Sequence, residues 1–169
     1  MKLDVQVSGK TVAQLYRERD EYVLKYLPGA DAADFISLTM PVRDEAWRWP
    51  RDLHPFFRQN LPEGYLLNII REEFGPLLDG TDLSLLAVVG GTGIGRITIT
   101  PEGGKPGVEM EPLQIDKLLT ADNTTEHFTS LVRRYARASI SGMVPKFIAP
   151  EQLPDDALGP LGKPTLRTS

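Results

Sequence analysis

The chain contains no cysteine, so disulfides and thiolate metal sites are excluded. Histidine is scarce. His54 and His127 lie far apart, neither has a second histidine at ligand spacing, and no zinc site is inferred. No apolar run reaches membrane-spanning length. The opening Met1-Lys2-Leu3-Asp4 lacks the long apolar core of a secretion signal. An excess of positive charge is also missing: the net charge is −4 and the pI about 5.2. Bulk electrostatics therefore offers no grip on nucleic acid. The expectation is a cytoplasmic protein with neither a membrane nor nucleic acid as a direct partner.

What is present suits one domain, or a small domain with an appendage. The chain has 169 residues, 41% hydrophobic and 25% charged. Fifteen glycines and fourteen prolines favour many turns and short elements.

Residues 3–7 alternate, with Leu3, Val5 and Val7 on one face, and read as a strand. Ser8-Gly9-Lys10 turns the chain, and 11–17 and 22–27 follow as further strands. Phe35–Met40 reads as a fourth strand, with Ile36, Leu38 and Met40 on one face. Short connections make a twisted antiparallel meander the simplest topology. Residues 44–50 form a loop carrying Trp47 and Trp49, read either as a partner site or as a lid over the core.

Helical signals come next. Residues 53–60 look like a short helical turn with Phe56 and Phe57 in the core. Pro62 suits a first helical position, and Leu66, Ile69, Ile70 and Phe74 repeat at helical spacing. Thr81 caps a helix over 82–88 that faces Leu83, Leu86 and Ala87 inward. Gly90-Gly91-Thr92-Gly93-Ile94-Gly95 follows that helix and precedes a strand over 96–100. This is the reverse of a dinucleotide motif, so the glycines read as a stop and turn. Leu113, Ile115, Leu118 and Leu119 suggest a short helix. Thr124 or Thr125 caps another, with Phe128, Leu131, Val132 and Tyr135 inward and Arg133, Arg134 and Arg137 at a solvated end. After Ile148 the chain is rich in Pro and Gly and reads as an extended loop.

The stretch from Arg137 to Ile148 carries the chemistry. It reads as a strand, a glycine loop and a return strand. Ser139, Ser141, Gly142 and Lys146 place two hydroxyls, a permissive backbone and an ammonium together. Successive N–H groups in such a turn form a concavity that accepts phosphate. Pro145 stiffens the loop and donates nothing. A plain hairpin with a polar turn explains the same residues, and Lys146 fits a solvated strand end as well as a phosphate contact.

Four segments, in order, resemble the amino-terminal part of HipA-type serine/threonine kinase toxins of bacterial toxin–antitoxin modules. They are Ser37-Leu38-Thr39-Met40-Pro41-Val42, Leu53-His54-Pro55-Phe56-Phe57-Arg58-Gln59-Asn60-Leu61-Pro62-Glu63-Gly64, Asp82-Leu83-Ser84-Leu85-Leu86-Ala87-Val88-Val89-Gly90-Gly91 and Ser139-Ile140-Ser141-Gly142-Met143-Val144-Pro145-Lys146. The resemblance implies an α+β fold: an antiparallel twisted sheet or small barrel-like meander with helices packed on it, then a hairpin with a Gly-rich loop. The corresponding division is 1–110 for the β-rich subdomain with helices at 53–75 and 81–89, 111–149 for the helical connection and loop hairpin, and 150–169 for the Pro/Gly-rich loop.

By the same resemblance, Ser141, Gly142, Met143, Val144, Pro145 and Lys146 contact the phosphates of ATP, held with Mg²⁺. Ser139 and Ser141 match autophosphorylation sites. The family's ATP-holding lysine, catalytic aspartate and metal-binding acid come later than Ser169, so this chain by itself is expected to be inactive as a kinase. The implied partners are a kinase core segment or subunit, a helix-turn-helix antitoxin and, for the complete kinase, an aminoacyl-tRNA synthetase substrate. A different reading is an antitoxin-like module that inhibits a separate HipA-type kinase. A third is a structural domain of unrelated function.

Overall fold

The first two strands, β1 (Lys2–Val7) and β2 (Lys10–Glu18), are joined by the tightest of connections. Ser8 and Gly9 both take positive φ, 51° and 85°, the turn whose twist suits an antiparallel hairpin. A computed structural model describes residues 1–92, 95–105, 125–135, 139–140 and 146–147. Strand β3 (Glu21–Tyr26) pairs with β2, β4 (Trp47–Pro50) with β3, and β5 (Ile97–Pro101) with the free side of β1. The result is an open five-stranded sheet, β4-β3-β2-β1-β5, antiparallel throughout. With the helices laid on it, the fold is α+β.

Register explains why one face is apolar. Leu3 sits opposite Leu15, Leu15 opposite Leu24, Val5 opposite Ile99, and Leu24 opposite Trp47. Cross-strand pairs of this kind are the unit of sheet stability. Onto that face pack Leu53, Phe57 and Leu61, from and around α1 (Pro55–Arg58), with Leu83 and Leu86 of α3 (Asp82–Val89). A second, smaller cluster joins Leu66, Ile69 and Ile70 of α2 (Gly64–Phe74) to Val88, Val89 and Val132. Val132 lies on α4 (Thr125–Tyr135). The Thr81 hydroxyl accepts from the Ser84 N–H at 3.4 Å, so α3 starts where the sequence puts its cap.

The expected strand over Phe35–Met40 is not a strand. Ala32–Asp34 forms a short 3₁₀ turn, and the chain turns again between Ser37 and Met40, where the Met40 N–H donates to the Ser37 carbonyl at 2.9 Å. The Ser37 hydroxyl accepts from the Thr39 N–H, offering the backbone an alternative to a ladder. Ile36 and Met40 are buried, but Leu38 is 87% exposed, so only part of the alternation survives. The true fourth strand is Trp47–Pro50, expected to be loop. Trp47 and Trp49 stack on one face with centroids 6.5 Å apart, half-buried against the core. Of the two readings of this pair, the cover over the core is what the packing displays.

Smaller differences follow from local geometry. Helix α2 begins at Gly64 rather than Pro62, because Gly64 turns the chain into the helix with φ of 54°. Strand β5 begins at Ile97. Phe56 is half-buried, and Phe128 of α4 is 44% exposed, while Val132 and Tyr135 face inward as expected. The helix expected over 113–119 and the extended segment after Ile148 lie outside the described residues. Among the described residues no helix is long and apolar enough to cross a membrane.

Candidate functional site

The candidate site is the hairpin after α4, and it is built from α2 outward. Helix α4 lies along α2. Val132 and Tyr135 are almost fully buried, and Val132 closes the cluster of Leu66, Ile69 and Ile70. Polar contacts flank that apolar seam. The Arg133 guanidinium donates to Glu72 at 2.8 Å with one nitrogen and to Glu73 with another. Tyr65 and Thr129 share a hydroxyl–hydroxyl bond of 3.2 Å. The two carboxylates hold the Arg133 guanidinium above its ordinary pKa, chiefly through the hydrogen bond it donates to Glu73. The sequence put Arg133 at a solvated helix end, but it bridges two helices. No local signal could have shown this, because its partners lie 60 residues away.

Four residues on from the end of α4, Ser139–Ile140 forms strand β6, paired antiparallel with Lys146–Phe147, strand β7. Ser139 lies opposite Phe147, and Ile140 opposite Lys146. Strand β7 also lies beside α4. The pairing therefore brings the ends of the Ser-Gly segment together, with Ser139 and Lys146 on opposing strands. Ser141, Gly142, Met143, Val144 and Pro145 lie outside the described residues.

A second cluster sits at the β4 edge of the sheet. The Arg43 guanidinium lies over the Trp47 ring at 3.5 Å and donates to the carbonyls of Glu45 and Ala46. Trp49 packs on His54, centroids 4.8 Å apart, and the His54 Nδ1 accepts from the Phe56 N–H at 3.2 Å, capping α1. The alternation Trp47-Arg48-Trp49 was a strand signal that the framing loop residues obscured. Burial holds the His54 imidazole below its ordinary pKa. A folded value below the unfolded one, ordinarily about 6.5, means that the unfolded chain binds more protons between the two. The stability from His54 is thus complete above pH 6.5 and falls as pH drops through the folded value. Urea midpoints taken between pH 7.5 and 5 should decline in the wild type and flatten in His54→Asn, which keeps a capping oxygen without the titration. Equal slopes in both proteins would refute the assignment.

A cleft of about 250 Å³ opens between α2 and α3, lined by Arg71, Gly75, Leu78, Gly80, Ser84 and Leu85. Its Ser84 hydroxyl is already engaged, donating to the Thr81 carbonyl and accepting from the Asp79 N–H. Among the described residues no group of three or more His, Asp or Glu side chains could hold a metal ion.

Residues 3–100, from β1 to the penultimate residue of β5, match the family model described as the HipA N-terminal domain. No curated protein matches the chain.

Proposed function

Since the chain belongs to the HipA N-terminal domain family, we propose that it is the amino-terminal regulatory part of a HipA-type serine/threonine kinase toxin. It carries the Gly-rich loop for the ATP phosphates and needs a kinase core for activity. The observation that supports this reading is the pairing of β6 with β7, which brings Ser139 and Lys146 onto adjacent strands beside α4, the helix that packs on the family-matched domain. Ser141, Gly142, Met143, Val144, Pro145 and Lys146 would cradle the phosphates with backbone N–H groups and the lysine ammonium. Ligands for Mg²⁺ would come from the kinase core, as the family resemblance implies.

In autophosphorylation the Ser139 Oγ takes the γ-phosphoryl, ADP leaves, and the hydroxyl proton passes to a base of the kinase core. Ser141 is the second acceptor. The added negative charge would then repel the phosphates of a bound nucleotide, expelling the hairpin. A helix-turn-helix antitoxin and an aminoacyl-tRNA synthetase substrate belong to the same proposal, for the completed kinase.

The test is co-expression of the chain with a HipA-type kinase core, followed by phosphopeptide mass analysis. Phosphate on Ser139 that disappears in Ser139→Ala, together with restored Mg-ATP binding, is the expected result. An unmodified hairpin beside an active core overturns the proposal, and so does phosphoryl transfer by this chain unaided.

One observation favours a second reading, an antitoxin-like module. The family match ends at residue 100, ahead of the hairpin, so the sheet and first three helices are a unit that could act without it. The sign of the effect separates the two. Added chain raises the activity of a core under the first reading and lowers it under the second.

A further inference from the structure

Helix α4 is the last described element before the hairpin, and it meets α2 through an apolar seam, the Tyr65–Thr129 hydroxyl pair and the Arg133 guanidinium. Apolar contact through Val132 and Tyr135 fixes the distance between α2 and α4, but side chains of that kind tolerate rotation and sliding. Arg133 does not. Its two terminal nitrogens reach different carboxylates, Glu72 and Glu73, which are neighbours on α2. Satisfying both at once fixes the rotation and register of α4. Strand β6 begins at the fourth residue beyond the helix, and β7 lies against α4 and pairs with β6, so a displacement of α4 is felt by the paired strands.

We infer that Arg133, clamped between Glu72 and Glu73, is a positioning residue that sets where the β6–β7 hairpin stands relative to the amino-terminal sheet. Its role in phosphate handling rests on the kinase reading proposed above; its role in holding the hairpin does not. The three side chains are partly exposed, so the ion pairs contribute little to global stability. Their effect is directional. A surface ion network with a small stability effect and a large effect on one distant hairpin is the signature that separates positioning from ordinary support.

The experiment compares the wild-type chain with Arg133→Glu and with a charge-exchanged triple variant, Glu72→Arg, Glu73→Arg and Arg133→Glu. The first places three carboxylates together, and the second rebuilds the clamp with reversed signs. Amide hydrogen exchange is followed in peptides covering β6–β7 and, as the internal control, β1–β3. In Arg133→Glu, exchange in the hairpin should quicken by about five-fold or more while β1–β3 stays unchanged. The thermal midpoint should move by no more than about 3 °C. Protection should return in the triple variant. Hairpin amides that are unprotected in the wild type, or equally protected in Arg133→Glu, overturn the inference. Loss of protection in β1–β3 alongside the hairpin does so too, since the clamp would then be general support.

Phosphate on Ser139 is measured in parallel, with a kinase core supplied. If the exchange pattern is as expected but the wild type never carries phosphate, the kinase reading fails and the positioning role stands. If the wild type is phosphorylated and Arg133→Glu changes neither exchange nor phosphorylation, the positioning role fails and the kinase reading stands.

Discussion

Gly90→Val lowers the stability of this domain by about 3 kcal/mol or more, the high end for an overpacked contact. Gly90 ends α3 at the point where the helix meets β5. A Cβ added there would stand 2.8 Å from the Ile99 Cβ and 2.8 Å from the Ile99 carbonyl oxygen. The side-chain atom could shift slightly. The carbonyl oxygen is strand backbone, and it can move only if β5 shifts against β1, to which Thr98 and Thr100 pair it on either side of Ile99. Gly90 itself has an ordinary helical backbone, φ −71°, so the penalty is steric and not conformational. Alanine should therefore already cost about 1–3 kcal/mol, and the branched valine more. Gly75 supplies the control. It too follows a helix with negative φ, but beyond its chain neighbours a Cβ there meets nothing within 4 Å. Its only conflict is with the ring of the following Pro76, which disfavours helical backbone before it, so Gly75→Ala should cost about 1 kcal/mol or less. Urea midpoints of the three variants decide the matter. A Gly90→Ala protein as stable as Gly75→Ala would show that α3 does not press on β5 this way.

Tyr26→Phe should cost about 2–4 kcal/mol, because one hydroxyl serves two buried backbone groups. The Tyr26 hydroxyl donates to the Met40 carbonyl at 2.6 Å and accepts from the Ile36 N–H at 3.0 Å. Both residues are buried, so removing the oxygen strands a donor and an acceptor away from water. Burial also raises the phenol pKa, which keeps the proton on the oxygen that must donate it. The loss should be local as well as global. Amides of residues 35–42 should exchange faster than those of β1, since the turn between Ser37 and Met40 depends on this anchor. Arg96 grips the same segment from the other side, donating to the carbonyls of Ala33 and Phe35 while lying over the Phe35 ring. A cost below about 0.5 kcal/mol would mean that water replaces the hydroxyl, and the anchor would have no such role.

These two sites show how sequence and structure divided the information. The alternation in β1 was legible over five residues, and β2 and β3 were legible from their apolar and β-favouring composition without it, since Val12 and Ala13, and Tyr22, Val23 and Leu24, are buried as neighbours. The cap of α3 was legible because Thr81 and Ser84 are local to each other. Residues 35–40 misled for a physical reason. Buried Ile36 and Met40 are four apart, a spacing that a strand and a turn both satisfy, and the hydroxyls of Ser37 and Thr39 favour the turn. The choice was settled by Tyr26 and Arg96, which are distant in sequence. Strand β4 was missed in the opposite sense. Its alternation is present in Trp47-Arg48-Trp49-Pro50, but four residues among loop formers carry a weak signal until β3 supplies the partner.

The candidate site divides the same way. Short-range spacing put the serines, glycine and lysine together as a candidate, and the family resemblance supplied their proposed phosphate role; of these residues Ser139 and Lys146 fall among the described ones, on paired strands. Arg133 was not legible, since a helix end rich in arginine looks solvated until a second helix brings Glu72 and Glu73 within reach.

The amino-acid order alone determined the composition-level exclusions, four of the five strands of the sheet, the capped helix and the family motifs. Each of those depends on residues within about one element of one another. Tertiary structure decided which edge strand completes the sheet, that Phe35–Met40 is a clamped turn, and that Arg133 ties the hairpin helix to α2. In each case the outcome rests on pairing between groups far apart in the chain, and such pairs exist only once the core has brought them together.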